Sequence, residues 1–312
     1  MTTEFTRIAK YFAPLAGEAG RGLIDDAAVL TPPPGREIVL TVDQMLENIH
    51  FLPADPPDLI ARKLLRRSLS DLAAMGATPL SYLLTTALPP HIEESWLAAF
   101  AEGLAHDQEE FKIHLIGGDS SSSQQHISLT ATCIGHVAPG AALGRNGAQP
   151  GDEIWVTGTI GDAALGLRAR RGQLTDKTGF LTQRSLLPSP RINLPLAGIA
   201  NAAIDISAGL LQDLGHICNA SGLAATIHAG LVPASPEAAA FGGEFLESRL
   251  TDGDDYELLL AVPAEQAALL STACCDLAVT KIGVFSPGPA TVTVLAGDGT
   301  PITFAKQGWR HF

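Results

Sequence analysis

The residues of this 312-residue chain best suited to chemistry are aspartates, and they flank strand-like runs. Asp25 and Asp26 precede AAVL, Asp43 follows IVLTV, Asp119 follows LIGG, Asp205 follows AAI, and Asp254 and Asp255 precede YELLLAV. Strand ends in mixed sheets are where ligand sites gather. Asp71 is different. At about 100° per residue it falls between Ile60 and Leu64, near Ser68 and Met75, on the apolar arc of a helix. A carboxylate without a partner costs several kcal/mol there, so Asp71 needs a cation, hydrogen bonds or both. Any one of these residues could be a turn former or a helix cap. Asp26, Asp43, Asp71, Asp119 and Asp205 brought together would repel unless cations neutralised them. The set lacks the His and Cys partners that zinc prefers, so hard, oxygen-seeking Mg²⁺ fits best. Carboxylate-held Mg²⁺ usually also holds substrate phosphates, which points to phosphoryl transfer.

The elements that must carry these groups follow from apolar periodicity and breakers. A short strand over 37–42 ends at Asp43, and a helix over 58–75 is stopped by Gly76 and Pro79. Further strands are expected over 81–88, 113–116 (ending in Gly-Gly-Asp) and 127–137, with a helix over 91–107. The Gly/Ala/Pro-rich stretch APGAALGRNGAQPGDE then marks a joint near Pro139, giving domains over 1–139 and 140–312. In the second, strands over 153–157, 203–206 and 256–262 are expected, and Ser207 reads as the N-cap of a helix over about 208–220. Each half is mixed α and β. The GxxxxGK[ST] loop, GxGxxG after a strand and the protein-kinase signatures are all missing. Gly-rich GTIGDAALG (158–166) and GGDSSSS (117–123) could present backbone N–H groups to a phosphate, each a weak signal alone.

Composition narrows the classes. Asp and Glu number 33 against 20 Lys and Arg, a net charge of −13, which disfavours a nucleic-acid backbone as partner. The first twenty residues lack the basic and apolar regions of a signal peptide, and no apolar run reaches the ~18 residues of a membrane span. Cys133, Cys218, Cys274 and Cys275 form no CxxC pair, so the expectation is a cytoplasmic protein with reduced thiols.

Taken in order, many segments resemble the thiamine-monophosphate kinases of the aminoimidazole-ribonucleotide synthetase-like superfamily. They include DDAAVL (25–30), TVDQMLENIHF (41–51), LSDLAAMGATP (69–79), LIGGDSSSS (115–123) and RNGAQPGDEIWVTGTIGDAALGL (145–167). LLPSPR (186–191), AIDISAGLLQDLGHICNASG (203–222), DGDDYELLLAVP (252–263), KIG (281–283) and GWRHF (308–312) complete the match end to end. The resemblance implies an α/β fold of two domains, with the N-terminal sheet pairing with its twin in a homodimer and ATP with several Mg²⁺ between the domains. It implies ATP-dependent phosphorylation of thiamine monophosphate to thiamine diphosphate, with no protein residue assigned as acid or base. Carried over, Asp26, Thr41, Asp43, Asp71, Asp119 and Asp205 are metal ligands. Gly118, Asp119, Arg145 and Ser207 contact ATP, and His50, Asp254 and Trp309 contact the thiamine substrate. Without the resemblance, His50 reads equally as a surface or core histidine, Trp309 as a packing anchor and Arg145 as a solvated charge.

Four positions depart from the pattern. Ile24 replaces a Gly, Val42 a hydroxyl residue, Ala208 the second Asp of DISDGL, and Asp254 a Glu. Ala208 removes one carboxylate and with it one expected metal ligand. These changes leave open a paralogue with another phosphorylated substrate, or a nucleotide-binding protein without turnover. Selenophosphate synthesis loses ground because the N-terminal segment has no Cys, and hydrogenase maturation because the chain ends in Phe312.

Overall fold

Alternation of burial along the strands fixes which face of the first sheet meets helices. The computed structural model describes residues 4–310, so His311 and Phe312 of the terminal motif lie outside the described residues. It divides into two compact units, one comprising the chain up to Leu72 with Ala77–Gly140, the other Ala73–Gly76 with the chain from Ala141 onward.

The first unit holds the short helix α1 (Glu4–Arg7), β1 (Glu37–Leu46), α2 (Pro57–Ala74), β2 (Thr78–Leu88), α3 (Glu94–Phe111), β3 (His114–Ser122) and β4 (Ser128–Val137). Its sheet runs β1-β4-β2-β3, antiparallel except for the β2/β3 pair. On β4, Leu129, Ala131 and Cys133 are fully buried, and they pair with Met45, Asp43 and Thr41 of β1. Thr41 and Asp43 therefore share the inward face, while Ile38, Leu40 and Val42 are 40, 65 and 63% exposed on the other. Two strands run longer than expected. β1 continues through Asp43 to Leu46, because Asp43 keeps the alternation between Thr41 and buried Met45. β3 continues through Gly-Gly-Asp to Ser122, zipped in parallel against β2. Gly118 belongs there because a Cβ would lie 1.8 Å from the Leu84 carbonyl oxygen. Asp43 and Asp119 thus lie within strands, not beyond their ends.

The second unit comprises β5 (Glu153–Thr157), α4 (Asp162–Arg170), α5 (Phe180–Leu186), β6 (Ala202–Asp205), α6 (Leu210–Ser221) and β7 (Leu223–His228). It continues with α7 (Pro236–Ala239), α8 (Leu246–Thr251), β8 (Leu258–Val262), α9 (Ala267–Ala273), β9 (Val279–Pro287), β10 (Val292–Leu295) and β11 (Pro301–Ile302). Its mixed seven-stranded sheet runs β11-β10-β7-β9-β5-β8-β6, with Ile154, Val156, Ile204, Ile227, Leu259 and Ile282 packing one core with α6 residues such as Leu214 and Ile217. Among the described residues, no helix is long and apolar enough to cross a membrane. The four cysteines are free thiols, and burial pushes that of Cys133 up to about 12.

Candidate active site

In the first unit, helix α2 addresses β1 and the turn after it with a stripe of side chains at four-residue spacing, Lys63, Arg67 and Asp71. Asp71 accepts a 2.5 Å hydrogen bond from the Thr41 hydroxyl, the partner its place on an apolar arc demands. Arg67 Nη2 lies 3.5 Å from Asp43 Oδ1, and the buried Lys63 ammonium donates to the His50 carbonyl at 3.2 Å. Two expected ligands, Thr41 and Asp71, are thus joined, and a third, Asp43, sits on the same strand beside an arginine. Neither cation was anticipated from sequence, although their spacing from Asp71 was visible in it.

His50 is half-buried in the turn after β1, and its Nδ1 accepts the Leu46 N–H at 2.9 Å. An imidazole whose Nδ1 is an acceptor carries its proton on Nε2, so in its neutral form His50 is a donor at that atom. Asp26, Gly118 and Asp119 line one pocket of this unit with Asp25, Gly117 and Ser120. Ile24, just before it, has φ −101° and ψ −14°, a conformation any residue adopts, so the missing glycine strains nothing. Val42 points to the outer sheet face, away from Thr41 and Asp43.

Among the described residues, no three of the first unit's candidate carboxylates have ligand atoms within 4.8 Å of one another. The trio that does, His106, Asp107 and Glu110, is already tied up by Arg62 and Arg66, whose guanidinium nitrogens lie 2.8 and 2.7 Å from Asp107 and 3.4 and 2.6 Å from Glu110.

The second unit holds its own candidate residues through main chain. Asp205 ends β6 and is 3% exposed. The next turn hangs on Asp213, whose Oδ2 accepts the N–H groups of Ser207, Ala208 and Gly209 at 3.0, 3.0 and 3.1 Å. Ser207 is therefore not the N-cap of α6. Gly209 is, and a carboxylate from the helix's own first turn accepts the N–H groups of the segment that leads into the helix. Burial is the main reason the Asp213 carboxyl is pushed up to about 7, against its three backbone donors and the charge of Arg145. Sequence offered one cue, the Asp of DLGHI following Gly by four residues.

The same turn gives out its carbonyls. Ser207 O accepts from Asp254 N at 2.9 Å and Ala208 O from Trp309 N at 2.8 Å, while Gln212 Nε2 donates to Trp309 O at 3.0 Å. Ser207, Asp254 and Trp309, read as nucleotide and substrate contacts, are thus neighbours through one turn. Asp254 and Tyr256 have φ of 65° and 53°, an unfavourable conformation for non-glycine residues, and the Tyr256 hydroxyl donates to Asp254 at 3.1 Å. Between the two segments Gly253 (φ 76°) leaves no room for a side chain, since a Cβ would lie 2.3 Å from Ser207 O. Trp309 keeps 51% of its surface exposed. Arg145 is exposed near His216 and Asp213.

One expectation fails. GTIGDAALG does not offer its N–H groups to a phosphate, because the buried Asp255 carboxylate takes those of Gly161 (2.7 Å) and Ala163 (3.3 Å). Gly158 and Ile160 give theirs to the Ala278 and Pro233 carbonyls. This loop braces the fold together with the buried Glu257, which Arg184 and Arg191 clamp at 3.0 and 2.5 Å and the Thr157 hydroxyl reaches at 2.6 Å.

Comparison with known proteins extends the picture. A family model described as AIR synthase related protein, N-terminal domain, matches residues 24–137, and its C-terminal domain counterpart matches 149–295. Thiamine-monophosphate kinase of Caulobacter vibrioides is 38% identical over 322 residues, 99% of this chain and 91% of that protein. The crystal structure of thiamine-monophosphate kinase from Stenotrophomonas maltophilia K279a matches with a TM-score of 0.82 at 38% identity, covering 90% of this chain and 91% of that one. The structure of AaThiL complexed with AMPPCP and TMP matches with a TM-score of 0.80 at 30% identity, over 99% and 97% of the two chains.

Proposed function

The chain belongs to the thiamine-monophosphate kinase family of AIR synthase related proteins, and from that premise we propose that it transfers the γ-phosphoryl group of ATP to thiamine monophosphate, giving thiamine diphosphate. The observation that carries this reading is the oxygen-only cluster of Thr41, Asp43 and Asp71 between β1 and α2, in a fold shared with a protein solved in complex with AMPPCP and TMP.

The donors fit Mg²⁺. Asp26, Thr41, Asp43, Asp71, Asp119 and Asp205 offer carboxylate and hydroxyl oxygens, with no thiolate or imidazole to favour a softer ion. Among the described residues no three of these candidate carboxylates converge, which suits an ion that keeps waters and completes its shell with substrate phosphates. Bound there, Mg²⁺ would neutralise the phosphates and the charge that develops during transfer.

The chain's own groups do the rest. Gly118, Asp119, Arg145 and Ser207 hold the nucleotide. His50 donates from Nε2 to the thiamine phosphate substrate, Asp254 accepts from it, and Trp309 stacks on its ring. The attacking atom is a phosphate oxygen that is largely ionised at neutral pH, given a second phosphate pKa of about 6, so no protein base is required. Positioning the two phosphates in line is the catalytic task.

The exposed row of Ile38, Leu40 and Val42 along edge strand β1 supports pairing of this sheet with a second copy, hence a homodimer. The first unit would carry nucleotide, metal and interface residues, and the second would contribute further nucleotide and substrate contacts. Free thiols fit a cytoplasmic setting.

The test is an end-point assay of purified protein with ATP, Mg²⁺ and thiamine monophosphate, the thiamine phosphates being separated by chromatography. Thiamine diphosphate formed only when all three are present is expected. Its absence, with protein that still binds ATP, would overturn the assignment.

A further inference from the structure

Two neighbouring arginines on α2 are used differently. Arg66, 6% exposed in its side chain, forks onto Asp107 at 2.7 and 3.0 Å and reaches Glu110 at 2.6 Å, the tight geometry of a structural ion pair. Arg67 turns to the other side and meets Asp43 through a long contact of 3.5 Å, with the two side chains 12 and 23% exposed. Its charge lies among groups read above as metal ligands, on the same helix stripe as Asp71 and beside the strand that carries Thr41. A guanidinium keeps its charge at every working pH, so Asp43 faces a permanent cation.

We propose that Arg67 is a positioning residue that holds the Asp43 carboxylate and opposes capture of a free divalent ion there, making metal binding depend on nucleotide. This rests on the reading of Asp43 as a metal ligand. Like charges a few ångströms apart in a partly buried site repel strongly, so a divalent ion reaching Asp43 alone must displace or tolerate the guanidinium. An ion that arrives with the phosphates of ATP brings negative charge that offsets Arg67. Metal and nucleotide binding are therefore coupled, and the coupling is reciprocal.

The experiment follows Mn²⁺ binding by the loss of the free-ion electron paramagnetic resonance signal, with and without AMPPCP. It compares wild type, Arg67→Met, Arg67→Lys and Asp43→Asn, with melting temperatures measured alongside. In wild type, AMPPCP should tighten Mn²⁺ binding beyond the contribution of free AMPPCP. Arg67→Met should bind Mn²⁺ about tenfold more tightly than wild type without nucleotide, lose most of the coupling and show a lower kcat. Arg67→Lys, which keeps the charge, should restore weak nucleotide-free binding, and this comparison stands even if Arg67→Met is unstable. Folded Arg67→Met that binds Mn²⁺ no more tightly than wild type would overturn the role of Arg67, as would tight nucleotide-free binding by Arg67→Lys. If Asp43→Asn leaves Mn²⁺ binding unchanged in both conditions, Asp43 is not a ligand, and the reading beneath the proposal fails.

Discussion

The two units hold their candidate functional groups by opposite means. In the first, side chain meets side chain along one helix stripe. Thr41 is bonded to Asp71, Asp43 faces Arg67, and Lys63 reaches a carbonyl, that of His50. In the second, main chain does the holding. Asp213 collects three successive N–H groups, and the carbonyls of Ser207 and Ala208 fix Asp254 and Trp309. The contrast separates two jobs. On the proposed reading, charges on the α2 stripe set the electrostatics of the reaction, so altering one should change rate with little effect on fold. On the same reading the 207–209 turn sets where substrate groups lie, so loosening it should change binding and stability together.

The largest expected effect is in the first unit. Asp43→Asn and Asp71→Asn should each lower kcat/KM by about 10³ or more, by analogy with removing a principal electrostatic group, while melting within a few degrees of wild type. Steady-state kinetics beside thermal melts check this, and near-normal rates in both variants would remove the stripe from the chemistry. Next comes Asp213→Ala, which strips one acceptor from three buried or half-buried N–H groups. It should cost about 2 kcal/mol of stability and raise KM for both substrates about tenfold or more, with Asp213→Asn recovering much of the loss because its carbonyl oxygen can accept.

A pH effect sharpens the same comparison. Burial pushes Asp213 up to about 7 and, with the neighbouring charge of Asp162 adding to it, Asp255 up to about 8, from a starting value of 3.8. Both shifts are upward, so the folded chain keeps protons that the unfolded chain releases. Their contribution to stability is full below pH 3.8 and is lost as pH rises through about 7 and about 8. Each such proton tilts stability downward by about 1.4 kcal/mol per pH unit inside its window. Asp255→Asn should flatten the decline in denaturant midpoint between pH 5 and 8 relative to wild type, and an unchanged slope would contradict the assignment. The smallest effect expected is that of Ala208→Asp, which adds a carboxylate to the turn that Asp213 already fixes. It should lower the Mg²⁺ needed for half-maximal turnover by a few-fold, and an unchanged Mg²⁺ titration would mean that position 208 marks no lost ligand.

Much of this was legible beforehand where physics is local. Asp71 announced its need for a partner by sitting on an apolar arc, and α2 ends where Gly76 adopts φ 68°. What escaped notice depends on distant pairing. The strand through Asp43 looked finished because its apolar run stopped, yet pairing with Ala131 and the burial of Met45 carry it on. The Gly-Gly-Asp-Ser run has no periodicity and becomes a strand through β2 alone. Ser207 looked like a cap because Ser usually is one, whereas Gly209 takes that position and Asp213, one helical turn beyond it, fixes the segment before the helix. GTIGDAALG looked like a phosphate cradle until Asp255, about ninety residues away, proved to occupy it.

The most direct test of the division between the units is a single-turnover measurement. Transfer of label from limiting [γ-³²P]ATP to saturating thiamine monophosphate would be followed for wild type, Asp71→Asn and Asp213→Asn, with enzyme in excess at concentrations that saturate ATP binding. Saturation should bring Asp213→Asn to within about threefold of the wild-type rate, since its defect lies in binding, and leave Asp71→Asn slower by about 10³, since its defect lies in the chemistry. An Asp71→Asn rate near wild type, or an Asp213→Asn rate that saturation does not rescue, would contradict the account.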